Sequence, residues 1–287
     1  MESKALRFHL FRYHLLPLTK NTQQIDLFPE EDLTPEFIRA HKNDFFNDVL
    51  LDLPQSRNSS NPLKLHNNEN PFWLFKLANK KIAFIAQNFE MHKVPTEPFL
   101  FVAINNNPEV QLIAISENLE AFSSPTVVRN ILRDIFQKDL RKYGLNIEIE
   151  QLIDQQDFWK YIHRFQNKLT KIDFEFIKPN MANISGSLDE EFRDFANSVN
   201  SHESHIIIAA PQNGLLENIN QENPEIRGLI DYASEGGGNV KIKVKGVRKM
   251  YTTDQSPITV LVDEVSIEGA PEQAIKMYQA IVSGEPT

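Results

Sequence analysis

Residues 236 to 249 read G-G-G-N-V-K-I-K-V-K-G-V-R-K, and no other stretch restricts the fold as tightly. Val240, Ile242 and Val244 alternate with Lys241, Lys243 and Lys245. Successive side chains of a strand point to opposite faces, so the segment predicts a β-strand with one apolar and one cationic face. Arg248 and Lys249 follow Gly246, which brings five cations into nine residues with no acid among them, in a chain of net charge -9. A concentration against the global sign suggests a place that meets an anion. The plainer reading is a solvated sheet face, or lysines that blunt an edge strand against aggregation. Asp263 and Glu264, further along, would partly neutralise such a patch.

The chain of 287 residues is long enough for two domains or one large one, and 41% apolar residues, with 20 Phe, supply a sizeable aromatic-rich core. Apolar runs such as Phe99 to Ile104 fall far short of the roughly 20 residues that cross a bilayer. Lys4, Arg7, His9, Arg12 and His14 interrupt the first 20 residues and break any signal-peptide core. A cytoplasmic protein without a membrane span is the expectation. Cysteine is absent, which excludes disulfides, thiolate metal sites and a thiol nucleophile. The acidic balance argues against wholesale coating of nucleic acid but leaves room for a local basic groove.

Periodicity predicts an α+β fold. A strand over Leu6 to Leu18 precedes a helix that Thr34 caps and Pro35 starts, running to about Asp52. Residues 54 to 71, rich in Pro, Asn and Ser, read as a loop. Strands follow over 72–78, 81–87, 99–104 and 110–116, the first two joined as a hairpin through Asn79-Lys80, in a mainly antiparallel sheet. Ser124 and Pro125 open a helix with the stripe Val128, Ile131, Leu132, Ile135, Phe136 and Leu140. A short strand (145–149) and a second helix (158–169) complete an N-terminal domain of residues 1–170. A smaller α+β domain, 171–287, follows: a strand over 172–177, a helix capped by Ser187, a buried strand over 205–210, a helix over 224–233 stopped by the three glycines, the lysine strand, a strand over 258–267 and a last helix over 271–282.

Lysines about 6.6 Å apart on a strand can follow a phosphate backbone, which makes Lys241, Lys243 and Lys245, with Arg248 and Lys249, candidate phosphate contacts. A second basic set lies off the apolar stripe of the Ser124 helix: Arg129, Arg133, Lys138, Arg141 and Lys142. The next helix adds Lys160, Arg164 and Lys168, then Lys171, with Tyr161 and His163 interleaved. Two cationic helices of this kind either line a nucleic-acid groove or carry ordinary solvated faces.

Catalytic signatures are weak. His202-Glu203-Ser204-His205 has a metal-like spacing, but the H-E-x-x-H pattern needs two histidines four apart on a helix, and these are three apart on an expected loop. His9 and His14 differ by an odd number on one strand and point to opposite faces. Asp173 and Glu175 share a strand face and, with Lys178, resemble the acid, acid, lysine set of metal-dependent nucleases, although Lys178 has the opposite parity. The glycine run lacks a P-loop's trailing Lys-Ser/Thr, and no G-x-S-x-G elbow is present. No catalytic residue, metal or cofactor is nominated.

Four segments carry a resemblance: N-P-F-W-L-F-K-L-A-N-K-K-I-A-F-I-A-Q (70–87), P-F-L-F-V-A-I-N-N-N-P-E-V-Q-L-I-A-I (98–115), I-D-F-E-F-I-K-P-N (172–180), and the Gly-rich turn into the lysine strand. In this order they resemble the Rex exclusion protein A family of lambdoid phages and related bacterial defence proteins. The resemblance implies a two-domain, dimeric, DNA-binding protein acting in phage exclusion by abortive infection. It offers no residue signature to carry over. The leading expectation is therefore a non-enzymatic, weakly sequence-selective binder of double-stranded DNA, through Lys241, Lys243, Lys245, Arg248 and Lys249 with Arg129, Arg133, Arg141 and Arg164. The alternatives are a metal-dependent nuclease using Asp173, Glu175 and Lys178, or a regulatory subunit whose basic surface docks an acidic protein of a defence complex.

Overall fold

The computed structural model describes residues 5–18, 34–53, 60–178, 188, 190–199 and 201–263. Along the chain run β1 (Ala5–Pro17), α1 (Pro35–Ala40), α2 (Lys42–Asp52), β2 (Leu63–Glu69), β3 (Phe72–Ala78), β4 (Lys81–Gln87), β5 (Glu90–Thr96), β6 (Phe99–Asn105), β7 (Leu112–Ser116) and α3 (Pro125–Leu140). They continue with β8 (Leu145–Gln151), α4 (Gln155–Phe165), β9 (Leu169–Ile177), α5 (Glu190–Ser198), β10 (Glu203–Ala209), α6 (Pro224–Tyr232), β11 (Gly238–Val244), β12 (Tyr251–Thr252) and β13 (Thr259–Asp263). The fold is α+β, as the periodicity predicts. The expected Ser187 cap and the helix over 271–282 lie outside the described residues, as does the expected strand beyond Asp263.

Two compact units emerge, neither continuous in sequence: residues 1–9, 41–143 and 259–287 form the first, and 10–40 and 144–258 the second. Residue 170, the boundary expected from sequence, is the second residue of β9. In the first unit the sheet order is β13-β1-β7-β6-β3-β2. β7 is buried along its whole length and β6 from Leu100 on, which explains their unbroken apolar runs. The α3 stripe Val128, Leu132, Phe136 and Leu140 is buried, and Phe136 meets Phe46 of α2 edge-on at 5.1 Å. The Ser124 hydroxyl accepts a hydrogen bond from the Val127 amide (3.3 Å) and Pro125 takes the first turn, so this helix starts where its cap predicts.

Three expectations about this region need correction. The Pro/Asn/Ser-rich stretch is not all loop, because Leu63–Glu69 pairs with β3 as a strand. Composition hid it, since an edge strand with one wet face carries polar residues. The helix that starts after Thr34 breaks at His41 into α1 and α2. The hairpin between 72–78 and 81–87 does not form: β2 and β6 occupy both edges of β3, and β4 pairs with β5 instead. The turn of that ribbon places Asn88 and Phe89 at φ 51° and 66°, the doubly left-handed geometry that tight hairpins use.

In the second unit, the later half of β1 pairs with β8, from Phe11 opposite Gln151 to Pro17 opposite Leu145. A separate antiparallel sheet has the order β10-β9-β11-β12. Its even-numbered residues Ile172, Phe174, Phe176, Val240, Ile242 and Val244 are buried in one core with Phe158 and Ile162 of α4 and Ile226, Ile230 and Tyr232 of α6. Helices thus cover one face, and the odd-numbered residues of β9 and β11 form the other. The expected buried strand over 205–210 is instead an edge with β9 as its neighbour, and Ile207 is 55% exposed. After α6 the chain makes one wide turn (Ala233–Gly237) in which Gly236 takes φ +83°, and a Cβ there would sit 2.5 Å from Cβ of Arg12.

Candidate functional site: the open face of the four-stranded sheet

Antiparallel register arranges the open face in rows. His205 lies opposite Glu175, which lies opposite Asn239. In the next row Ile207, Asp173 and Lys241 align, and in the next Ala209, Lys171 and Lys243. Two residues on each strand separate the rows by about 6.6 Å, so some 13 Å divides the Glu175 row from the Lys171 row. One end of the face is thus rich in carboxylates with an imidazole, and the other carries lysines.

At the carboxylate end, His205 Nδ1 is 3.1 Å from Asp173 Oδ1 and Nε2 is 3.0 Å from Glu203 Oε1. With both ring nitrogens facing carboxylates, the protonated imidazole is favoured. The hydrogen bond to Asp173 is the largest cause of a pKa above the usual histidine range; partial burial opposes it, and Glu203 and Glu175 add to it. Lys241 Nζ is 2.5 Å from Glu175 Oε2, and this contact raises the ammonium pKa. Lys171 Nζ lies 3.9 Å from Asp173 Oδ2.

At the basic end, Lys243 donates to the carbonyls of Val247 and Arg248, both at 2.7 Å, and so closes the loop after β11. The Lys245 amide donates to the Lys168 carbonyl (2.7 Å), which joins the end of β11 to the segment after α4. Lys245, Arg248 and Lys249 are exposed, with no carboxylate in ion-pair range among the described residues. Arg164 is also exposed and stands 5.2 Å over the Phe165 ring. Tyr161 of α4 stacks on Tyr251 of β12 at 4.0 Å.

The five cations of the lysine strand and its loop therefore have different duties: Lys241 is tied to Glu175, Lys243 to a loop, and the remaining three face solvent. Arg129, Arg133 and Arg141 belong to the first unit, where Arg133 lies 3.6 Å from Asp134 and Arg141 follows α3 as its exposed cap residue. Lys178 does not join Asp173 and Glu175. It has the opposite parity and is buried, and burial followed by the charge of Arg39 lowers its pKa. The ammonium beside Glu175 is that of Lys241.

The sequence pattern alone weighs His202-Glu203-Ser204-His205 as a metal-like spacing on an expected loop, with His205 also opening the expected strand over 205–210, and nominates none of them. Glu203 and His205 begin β10, and a spacing of two puts both on one face of a strand. His202, of the other parity, turns its Nε2 to the Pro17 carbonyl (3.1 Å). No protein-family model matches this chain, and no curated protein matches its sequence. Among the described residues no helix is long and apolar enough to cross a membrane.

Proposed function

We propose that this protein is a non-enzymatic binder of nucleic acid that holds the phosphate backbone of double-stranded DNA at the basic end of the open sheet face. One observation carries the reading. Lys171 and Lys243 stand directly opposite each other in register, beside Lys245, Arg248 and Lys249, which have no acidic partner among the described residues. Lys171 has Asp173 at 3.9 Å and Lys243 the carbonyls of Val247 and Arg248, so the three exposed cations of the loop are the ones a polyanion would neutralise. Arg164 is exposed on α4, and Arg129, Arg133 and Arg141 form a second set in the first unit. Contacts of this kind read charge and spacing, so weak sequence selectivity follows. The resemblance to the Rex exclusion proteins adds a setting: a cytoplasmic, dimeric protein of bacterial antiviral defence.

The nuclease reading that needs Lys178 loses support, because that side chain is buried away from Asp173 and Glu175. The test is binding of a labelled duplex over a salt series, with the wild type and a Lys245→Glu, Arg248→Glu, Lys249→Glu variant. The expected result is a log-linear fall of affinity with salt, with the slope reduced by about 0.9 for each phosphate that the variant no longer neutralises. Wild-type affinity and slope in the variant remove this patch from the site. Absence of binding at low salt overturns the nucleic-acid reading and turns the search to an acidic protein partner.

A further inference from the structure

The geometry points to a binding site for a first-row divalent cation, Mn2+ or Zn2+, formed by Glu175, Glu203 and His205 at the carboxylate end of the open face. The ligand atoms these residues offer all lie within 4.8 Å of one another. Metal–ligand distances of about 2.0–2.2 Å bring such atoms closer still, and partly exposed side chains on neighbouring strands close that gap by rotation.

The set is chemically mixed. His205 gives its Nδ1 to Asp173 (3.1 Å), which fixes the ring and leaves Nε2 directed at Glu203 (3.0 Å). Carboxylate, imidazole and metal in that order are the usual outer-sphere support of a histidine ligand. The proton now between Nε2 and Glu203 occupies the place the cation would take. Glu175 stands opposite His205 in register and is held by Lys241 at 2.5 Å, so that ammonium competes with the cation for it. Imidazole with carboxylates selects Mn2+ or Zn2+ over Ca2+ or Mg2+, and three protein ligands leave positions for water or an anion oxygen.

The charges facing His205 are Glu203 on its own strand, Asp173, Glu175 and Lys171 on β9, and Lys241 on β11. With a neutral imidazole this group has three negative and two positive charges, an excess that a divalent cation reverses.

The experiment is calorimetric titration of the full chain, tag-free and chelator-treated, with MnCl2 and with ZnCl2 and without DNA, so that its outcome is separate from the nucleic-acid reading. One site per chain is expected. His205→Ala and Glu203→Gln each weaken it at least tenfold, Asp173→Asn weakens it by about 10–100-fold as an outer-sphere change, and Lys241→Met tightens it. These side chains are on the open face, and circular dichroism establishes that each variant is folded. No binding of either metal at 1 mM (about −4 kcal/mol) overturns the site. So does wild-type affinity in both His205→Ala and Glu203→Gln. Unchanged or weaker binding in Lys241→Met removes Glu175 from the ligand set.

Discussion

Gly238 is the residue on which the open face most directly rests, and Gly238→Ala measures it. Its φ of 156° and ψ of -159° lie in a region that is essentially glycine's alone. A Cβ built there stands 1.8 Å from the Glu175 carbonyl oxygen and 3.0 Å from Phe176 Cα. Both are backbone atoms of β9, so no rotamer change relieves the clash, and β11 must move away from β9 by more than an ångström. Backbone strain of about 1–3 kcal/mol and overpacking of about 1–3 kcal/mol give a loss of roughly 2–6 kcal/mol. A typical domain has only about 5–15 kcal/mol in total. Gly246 is the control: its φ is +80°, but a Cβ there meets nothing within 4 Å. Gly246→Ala carries the left-handed penalty alone, about 1–2 kcal/mol. The assay is urea unfolding followed by Trp159, whose helix α4 packs in the second-unit core, with Trp73 reporting separately on the first unit. Gly238→Ala should shift the Trp159 transition by about 1–3 kcal/mol more than Gly246→Ala, the overpacking cost, or abolish it. Equal stability of the two variants refutes the packing argument.

Two further outcomes follow from buried or paired groups. Tyr232 donates its hydroxyl to the Ile177 carbonyl at 2.8 Å in the core, and burial raises its pKa, so Tyr232→Phe leaves that carbonyl unsatisfied and should cost about 1–3 kcal/mol in the same unfolding assay. Asp173 holds the pKa of His205 above its unfolded value of 6.5; the stabilisation is therefore complete below that value and is lost as pH rises through the folded pKa. Melting temperatures of wild type and His205→Gln should accordingly differ at pH 5.5 and converge at alkaline pH, whereas a gap that widens with pH contradicts the assignment.

Much of the fold is legible because local periodicity and burial agree. The alternation in β9 and β11 places Phe174, Phe176, Val240 and Ile242 in the core, and Ser124 caps α3. Pairing is less legible because it is non-local. Asn79-Lys80 has the spacing of a hairpin, yet β3 already has a neighbour on each edge, which no local signal reveals. The Asn88-Phe89 turn is hidden for another reason: phenylalanine is a poor occupant of a left-handed position. The site divides in the same way. Asp173 and Glu175 stand out as a same-face pair, and His202-Glu203-Ser204-His205 as a separate segment whose histidine spacing fails a helical motif. Only the β9–β10 register makes them one cluster, and only the β9–β11 register replaces Lys178 with Lys241.

An antiparallel sheet with one wet face needs no ligand to explain it. The charge distribution on that face is the feature on which the two proposals rest. Interspersed signs would let each ammonium neutralise a carboxylate across the strand, as Lys241 does diagonally for Glu175. The sheet instead opposes Lys171 to Lys243 and crowds Asp173, Glu175 and Glu203 around one imidazole. Shifting the lysine strand by two residues would keep its apolar face in the core while realigning the charges, so core packing alone does not select the observed register. Gly238 restricts it from one side: a shift that brought Val240 to this place would drive a Cβ into the Glu175 carbonyl, whereas Gly236 would still fit. The glycine run thereby constrains which lysine meets which acid on the open face.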